Sequence, residues 1–230
     1  MTKLDHISFI GGSPCAGKTT IAQELAALHG FTSYSCDDAW ERHAALADPV
    51  RTPLLHHLTT LDCDGIWLHP VPEQVERELA VYREEFALIL HDLHQLPKDK
   101  PILAEGCALL PDLLVEQGIP THRSIWIVPT PEFQLHHYAQ RDWITNVVAT
   151  CTSPEQAWQN WMARDIAFAH EVTRQTRQHH RRVITVDGTT PLEAISAQVA
   201  THFALPATTA PDPSARPTGN PSTGQPPSML

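Results

Sequence analysis

The sequence contains no apolar run approaching the roughly eighteen residues that a membrane span needs, so no span is expected. Its opening residues, MTKLDHISFI, lack the basic and apolar regions of a secretory signal and lead straight into a strand-like run. Positive charge is also scarce: 16 Lys and Arg stand against 26 Asp and Glu, a formal net charge of −10 over 230 residues. A chain this acidic is poorly suited to broad binding of nucleic-acid phosphates, which requires a positive field. Cys15, Cys36, Cys63, Cys107 and Cys151 are odd in number, scattered, and form no C-x-x-C pair. Such usage points to a reduced, cytosolic environment, and with the missing secretory signal to a cytoplasmic protein. The 15 histidines invite a metal site, but no H-E-x-x-H and no cysteine partners accompany them, so they read as dispersed surface and helix-end residues. No internal repeat is visible.

What is present suits one globular domain with a substantial core, at 42% hydrophobic and 18% charged residues. Strand-like apolar runs fall around Ile7–Ile10, at Phe31–Ser35, at Pro101–Gly106, at Ser124–Val128 and at Arg182–Gly188. Helix-like periodicity lies between them. Ile21, Leu25 and Leu28 form one stripe; Val75, Leu79, Tyr82, Phe86, Ile89 and Leu93 form another along a helix from about Pro72 to His94. The stretch Asp48–Pro72 reads as irregular. Pro131 to about His180 reads as helical, broken at Thr150–Pro154, and Pro191–Phe203 forms a closing helix. Alternating strands and helices imply an α/β fold on a mainly parallel sheet of five strands. Residues 205–230, rich in proline, serine and threonine, are expected to be a disordered tail.

Between the first strand and the first helix lies GSPCAGKT, which matches G-x-x-x-x-G-K-[ST]. Glycines let the backbone curl so that successive N–H groups converge on phosphate oxygens, and the helix that follows offers its positive end to the same anion. Gly12, Ser13, Pro14, Cys15, Ala16, Gly17, Lys18, Thr19 and Thr20 are therefore the candidate nucleotide-binding residues. Lys18 would reach the β- and γ-phosphates, and the Thr19 hydroxyl would ligate magnesium. The implied cofactors are ATP and Mg2+.

Ligands of parallel sheets sit beyond the carboxyl ends of the strands. Three acidic signals fall there: Asp37-Asp38, Glu105 and Asp187. Phosphoryl transfer needs a group that orients or deprotonates the attacking hydroxyl, and cations over the moving phosphate. Asp37 is the candidate for the first role, with Asp38 as substitute; either also suits a helix N-cap. Glu105 is a candidate partner of magnesium-bound water or of an acceptor hydroxyl. Arg141 and Arg164, in the helical segment after Val128, are candidate phosphate-contacting cations, with Arg174 and Arg177 weaker ones. Trp143, Trp158, Trp161 and Phe168, at helical spacings around those arginines, read as the core of a helical lid.

GSPCAGKT, the acidic pair after the second strand and AEG closing the third together resemble the nucleoside and nucleotide kinase group of P-loop proteins, which includes adenylate kinase-like, shikimate and gluconate kinase-like and chloramphenicol phosphotransferase-like enzymes. The resemblance spans about residues 6–204 and implies a P-loop NTPase three-layer sandwich with a helical lid near 131–180. It implies an acceptor region near 40–98, Asp37 as the acceptor-side acid, and Arg141 and Arg164 as lid arginines. It also implies that the loop around Asp187 and Gly188 borders the adenine. The expected activity is transfer of a phosphoryl group to a small-molecule or nucleotide acceptor. A nucleotide-binding regulator or plain NTPase is the alternative. Asp62-Cys63-Asp64-Gly65 matches the D-x-x-G of a GTPase switch, but it follows no strand and no N-K-x-D motif occurs, which favours ATP over GTP.

Overall fold

A computed structural model describes residues 4–206. The strands are β1 (Ile7–Gly12), β2 (Thr32–Ser35), β3 (Ile102–Glu105), β4 (Ser124–Pro129) and β5 (Arg182–Val186). They form one sheet in the order β2-β3-β1-β4-β5, and every pairing is parallel. The three inner strands β1, β3 and β4 are buried along their whole length, as continuous apolar runs covered on both faces must be. The α/β expectation holds, with a sheet that is wholly parallel.

Successive β1 residues divide between two cores, following the two-residue alternation of a strand. Ile7 and Phe9 face one core, which α5 (Val71–Gln95) and α9 (Pro154–Gln178) cover with Phe86, Ile89, Phe168 and Val172. Ile10 faces the other, with Ile21 and Leu25 of α1 (Lys18–His29) and Ile195 and Val199 of α10 (Leu192–His202). The remaining helices are α2 (Cys36–Ala45), α3 (Pro53–Leu58), α4 (Cys63–Trp67), α6 (Pro111–Glu116), α7 (Pro131–Tyr138) and α8 (Ile144–Val148). Beside the sheet, α4, α7, α8 and α9 enclose a third cluster in which Trp67 stacks on Trp161 at 4.6 Å, with Trp143 and Trp158 half-buried around them. The tryptophans thus form a satellite core, whereas Phe168 belongs to the main one.

Several local expectations change. Neither Asp37 nor Asp38 caps α2: the Ser35 hydroxyl accepts from the Asp38 N–H, and both aspartates sit in the first turn, where a carboxylate complements the helix dipole. The supposedly irregular stretch holds α3 and α4, each too short to show periodicity. The D-x-x-G match is a helix cap, with Asp62 accepting from the Gly65 N–H at 2.8 Å. The helical segment after Pro131 is broken between α7 and α8 as well as before α9. Along α5, Tyr82, Phe86, Ile89 and Leu93 are buried as the stripe predicts, but Gln74, Glu78 and Glu85 are buried too, while Val75 and Leu79 are half-buried. Each of these polar residues has an interaction partner, which makes burial tolerable. Leu205 packs against the α1–α10 core rather than beginning a disordered tail, and residues 207–230 lie outside the described residues.

The cysteines are not all reduced. Cys63 and Cys151, 88 positions apart, form a disulfide that ties α4 to the turn before α9. Sequence spacing gave no sign of it, because only the folding of α4 against α8 and α9 brings the two together. Titration of the unfolded, unreduced chain should find three free thiols, Cys15, Cys36 and Cys107. The double variant Cys63→Ala/Cys151→Ala should lose about 2–4 kcal/mol of stability to denaturant. A count of five would refute the bridge.

Candidate functional site

Gly12 ends β1 at φ 142°, and a side chain there would drive its Cβ into the carbonyl oxygen of Ile127 on β4. Only glycine lets the chain leave the sheet so close to its neighbour. The loop then passes through Cys15 at φ 62° and Gly17 at φ 79° into α1, whose first-turn N–H groups have no acceptor within the helix. Ser13 donates its N–H to Ile127 at 3.3 Å, and its hydroxyl is buried without a partner. The buried Lys18 ammonium closes the loop on itself, donating to the Ser13 carbonyl at 2.7 Å and to Cys107 Sγ at 3.4 Å. All nine loop residues from Gly12 to Thr20 thus form one turn and helix start at the carboxyl end of the central strand.

The neighbouring strand ends bring the acids in. Glu105 pairs in register with Ile10 of β1 and Ser35 of β2, so it stands between the loop and the start of α2. Gly106, at φ 150°, has Cys36 packed where a side chain would be, and this lets α2 begin directly against β3. The Thr19 hydroxyl lies 3.3 and 3.2 Å from the two Glu105 carboxylate oxygens and donates to them. Burial pushes Glu105 up to about 7 against the pull of Lys18. Burial likewise raises Asp37, with Lys18 opposing, whereas Asp38 is exposed. The Lys18 ammonium keeps its proton more firmly than usual: burial works against it, but Cys107, Glu105 and Asp37 outweigh that effect. The Thr19 hydroxyl and the Glu105 carboxylate, beside a buried ammonium, are a donor set that fits magnesium and a triphosphate.

The cations separate. Arg141, between α7 and α8, lies over the rings of Tyr138 and Trp143 at 5.3 and 5.7 Å, close enough to Cys15 to act on its thiol. Arg164 is buried instead. It donates to Asp165 Oδ1 from Nε at 2.9 Å and Nη2 at 2.6 Å, faces Glu78 at 3.4 Å, and lies over Trp67. Asp165 also accepts from the Tyr138 hydroxyl at 2.6 Å, and Glu78 from that of Tyr82 at 3.3 Å. Arg164 is therefore the centre of a buried ion cluster behind the loop, paired along its own helix with Asp165 and across to Glu78. Arg174 pairs with Glu171 on the surface of α9 at 2.7 Å, and Arg177 is exposed. Asp187 is exposed and caps a turn through Thr189, and Gly188 lies against Phe133. That turn leads to Leu192, which touches the position a Gly17 side chain would take, so it borders the phosphate loop.

Cys107, Tyr82, Glu78, Tyr138 and Asp165 had no site role in the sequence reading. Cys107 directly follows AEG, and Glu78 and Tyr82 lie one turn apart on the buried face of α5; those positions are the signals that could have found them. A hollow of about 280 Å3 between the β5 edge and α10, lined by Arg182, Thr185, Thr190 and Gln198, holds none of these groups.

No protein-family model matches the chain, and no curated protein matches it in sequence. Among solved structures it is similar to shikimate kinase from Acinetobacter baumannii in complex with shikimate, at 18% identity and TM-score 0.44, covering 86% of this chain and 92% of that one. It is similar to the sulfotransferase domain from the curacin biosynthetic pathway, at 12% identity and TM-score 0.48, covering 97% and 82%. A Thermus thermophilus protein is similar at 18% identity and TM-score 0.41, covering 85% and 96%. Likenesses so distant concern the fold alone. The wholly parallel five-stranded sheet, with a glycine loop leaving the carboxyl end of its central strand, is an α/β fold.

Glu105 supplies a pH test. Its folded-state value lies above the 4.5 of a free carboxyl, so ionising it costs the empty protein stability as pH rises from about 4.5 through 7. Glu105→Gln, which never ionises, should gain in melting temperature relative to the natural chain between pH 5 and pH 8. A constant difference across that range would contradict the buried, strained carboxylate.

Proposed function

We propose that the chain is an ATP-dependent, magnesium-requiring phosphotransferase that acts on a hydroxyl or phosphate of a small molecule. The observation that carries the reading is the meeting of Lys18, Asp37 and the Thr19–Glu105 pair at the ends of three adjacent parallel strands. Lys18 and the loop N–H groups bind and orient the β- and γ-phosphates. Thr19, with Glu105 behind it, would hold the magnesium, which when bound neutralises phosphate charge. Asp37 accepts the proton of the acceptor hydroxyl, since it is the half-buried acid facing Lys18 while Asp38 points to solvent. Arg141, beside Cys15, covers the outer side of the loop, and Arg164 holds the walls in place rather than touching phosphate. Residues 40–98 form the acceptor side, residues 131–180 the lid, and the turn at Asp187 and Gly188 borders the adenine. The absence of N-K-x-D supports ATP.

A metabolite-library screen for acceptor-dependent ADP release tests the reading, and steady hydrolysis unaffected by any added compound would favour a plain NTPase. Lys18→Ala should lower turnover at least about hundredfold. Asp37→Asn should lower it by about the same factor while sparing Mg·ATP affinity; loss of nucleotide binding instead would make Asp37 structural. Mg·ATP affinity should rise with pH through about 7 as Glu105 ionises, and Glu105→Gln should flatten that rise.

A further inference from the structure

The helix that carries Asp37 meets the main core through Cys36, Ala39 and the half-buried Trp40. Of α2, only Cys36, Ala39 and His43 are buried. A polar attachment to α5 runs through His43, whose side chain is 1% exposed. Its Nδ1 lies 2.8 Å from Glu85 Oε1 and its Nε2 lies 3.0 Å from Asp92 Oδ2. Glu85 and Asp92, seven positions apart, lie on one face of α5. The Tyr34 hydroxyl of β2 donates to the same Asp92 oxygen at 3.1 Å, and Arg42 of α2 pairs with it. Asp37 also acts on Glu85 from the start of α2.

An ionised carboxylate only accepts hydrogen bonds, so a ring with a carboxylate oxygen at each nitrogen must carry a proton on both. The alternative, a neutral ring beside a protonated Glu85, holds the same number of protons. We propose that His43 is a positioning residue: clamped as an imidazolium between Glu85 and Asp92, it fixes α2 and thereby holds Asp37 opposite Lys18. This rests on the reading of Asp37 as the acceptor-side acid. Burial opposes the charge on the ring, but the bonds to Glu85 and Asp92 outweigh it and keep the proton on above the ordinary 6.5. The clamp is complete below that value and is lost as pH rises through the folded-state value, so its signature is an alkaline limb.

The test uses the full chain with Mg·ATP and water as the acceptor, from pH 6 to 10. His43→Gln should lower turnover about tenfold at pH 7 through misplacement of Asp37. Its Mg·ATP affinity should stay within about twofold of the natural chain's, because the loop does not depend on α2. It should also abolish the alkaline limb, and it should cause no further loss when added to Asp37→Asn. Glu85→Gln, which keeps the shape, should move that limb down by about one pH unit and serves where His43→Gln fails to fold. Nitrogen NMR should find both ring nitrogens of His43 protonated at pH 7. A neutral His43 ring at pH 7, an equal loss in both Asp37 backgrounds, or an unmoved limb in Glu85→Gln would each overturn the proposal. If neither Lys18→Ala nor Asp37→Asn alters turnover, the phosphotransferase reading fails instead, and the NMR titration still decides the clamp.

Discussion

One buried ammonium organises the cleft. Lys18 is held by its own loop through the Ser13 carbonyl and by Cys107 from the neighbouring strand end, with Asp37 and Glu105 opposite it. Neither carboxylate would stay so enclosed without a positive charge nearby, because burial alone pushes both toward the protonated form. They in turn help the buried ammonium keep its proton. The three groups come from the end of β3, from the start of α1 and from the start of α2.

The sheet order is what allows that balance. With β3 between β1 and β2, Ile10, Glu105 and Ser35 stand side by side, and the loops leaving the three strands share one crevice. Glycines at 12 and 106 serve this proximity, one letting the loop leave against β4 and the other letting α2 start against β3.

Behind the crevice the polar groups are more tightly built than an amphipathic pattern implies. The buried face of α5 presents Glu78 to Arg164 and Glu85 to His43, so the long helix is joined to α9 and to α2 by charge as well as by apolar contact. Such pairs contribute little net stability compared with apolar packing, yet removing one partner leaves the other buried and unpaired. They specify which helix lies against which. The run from Cys15 through Tyr138, Asp165 and Arg164 to Glu78 joins the phosphate loop to α5 without leaving the interior.

The phosphate loop, the five strands and the acidic strand ends were legible because each is local: residue type and spacing within about ten positions determine them. Pattern put Asp37 first with Asp38 as substitute, but which of the two is enclosed depends on where α2 begins, and that follows from Ser35 and from the contact of Cys36 with Gly106. Nor could it tell that Arg164 is enclosed, that His43 is buried or that Cys63 meets Cys151. Their partners lie far away along the chain or on helices whose facing depends on the whole packing. Local pattern is enough for a G-x-x-x-x-G-K-[ST] loop on a parallel α/β framework. Which charges are neutralised inside and which face the crevice was decided only by the tertiary structure, because burying a charge is tolerable only where folding supplies its partner.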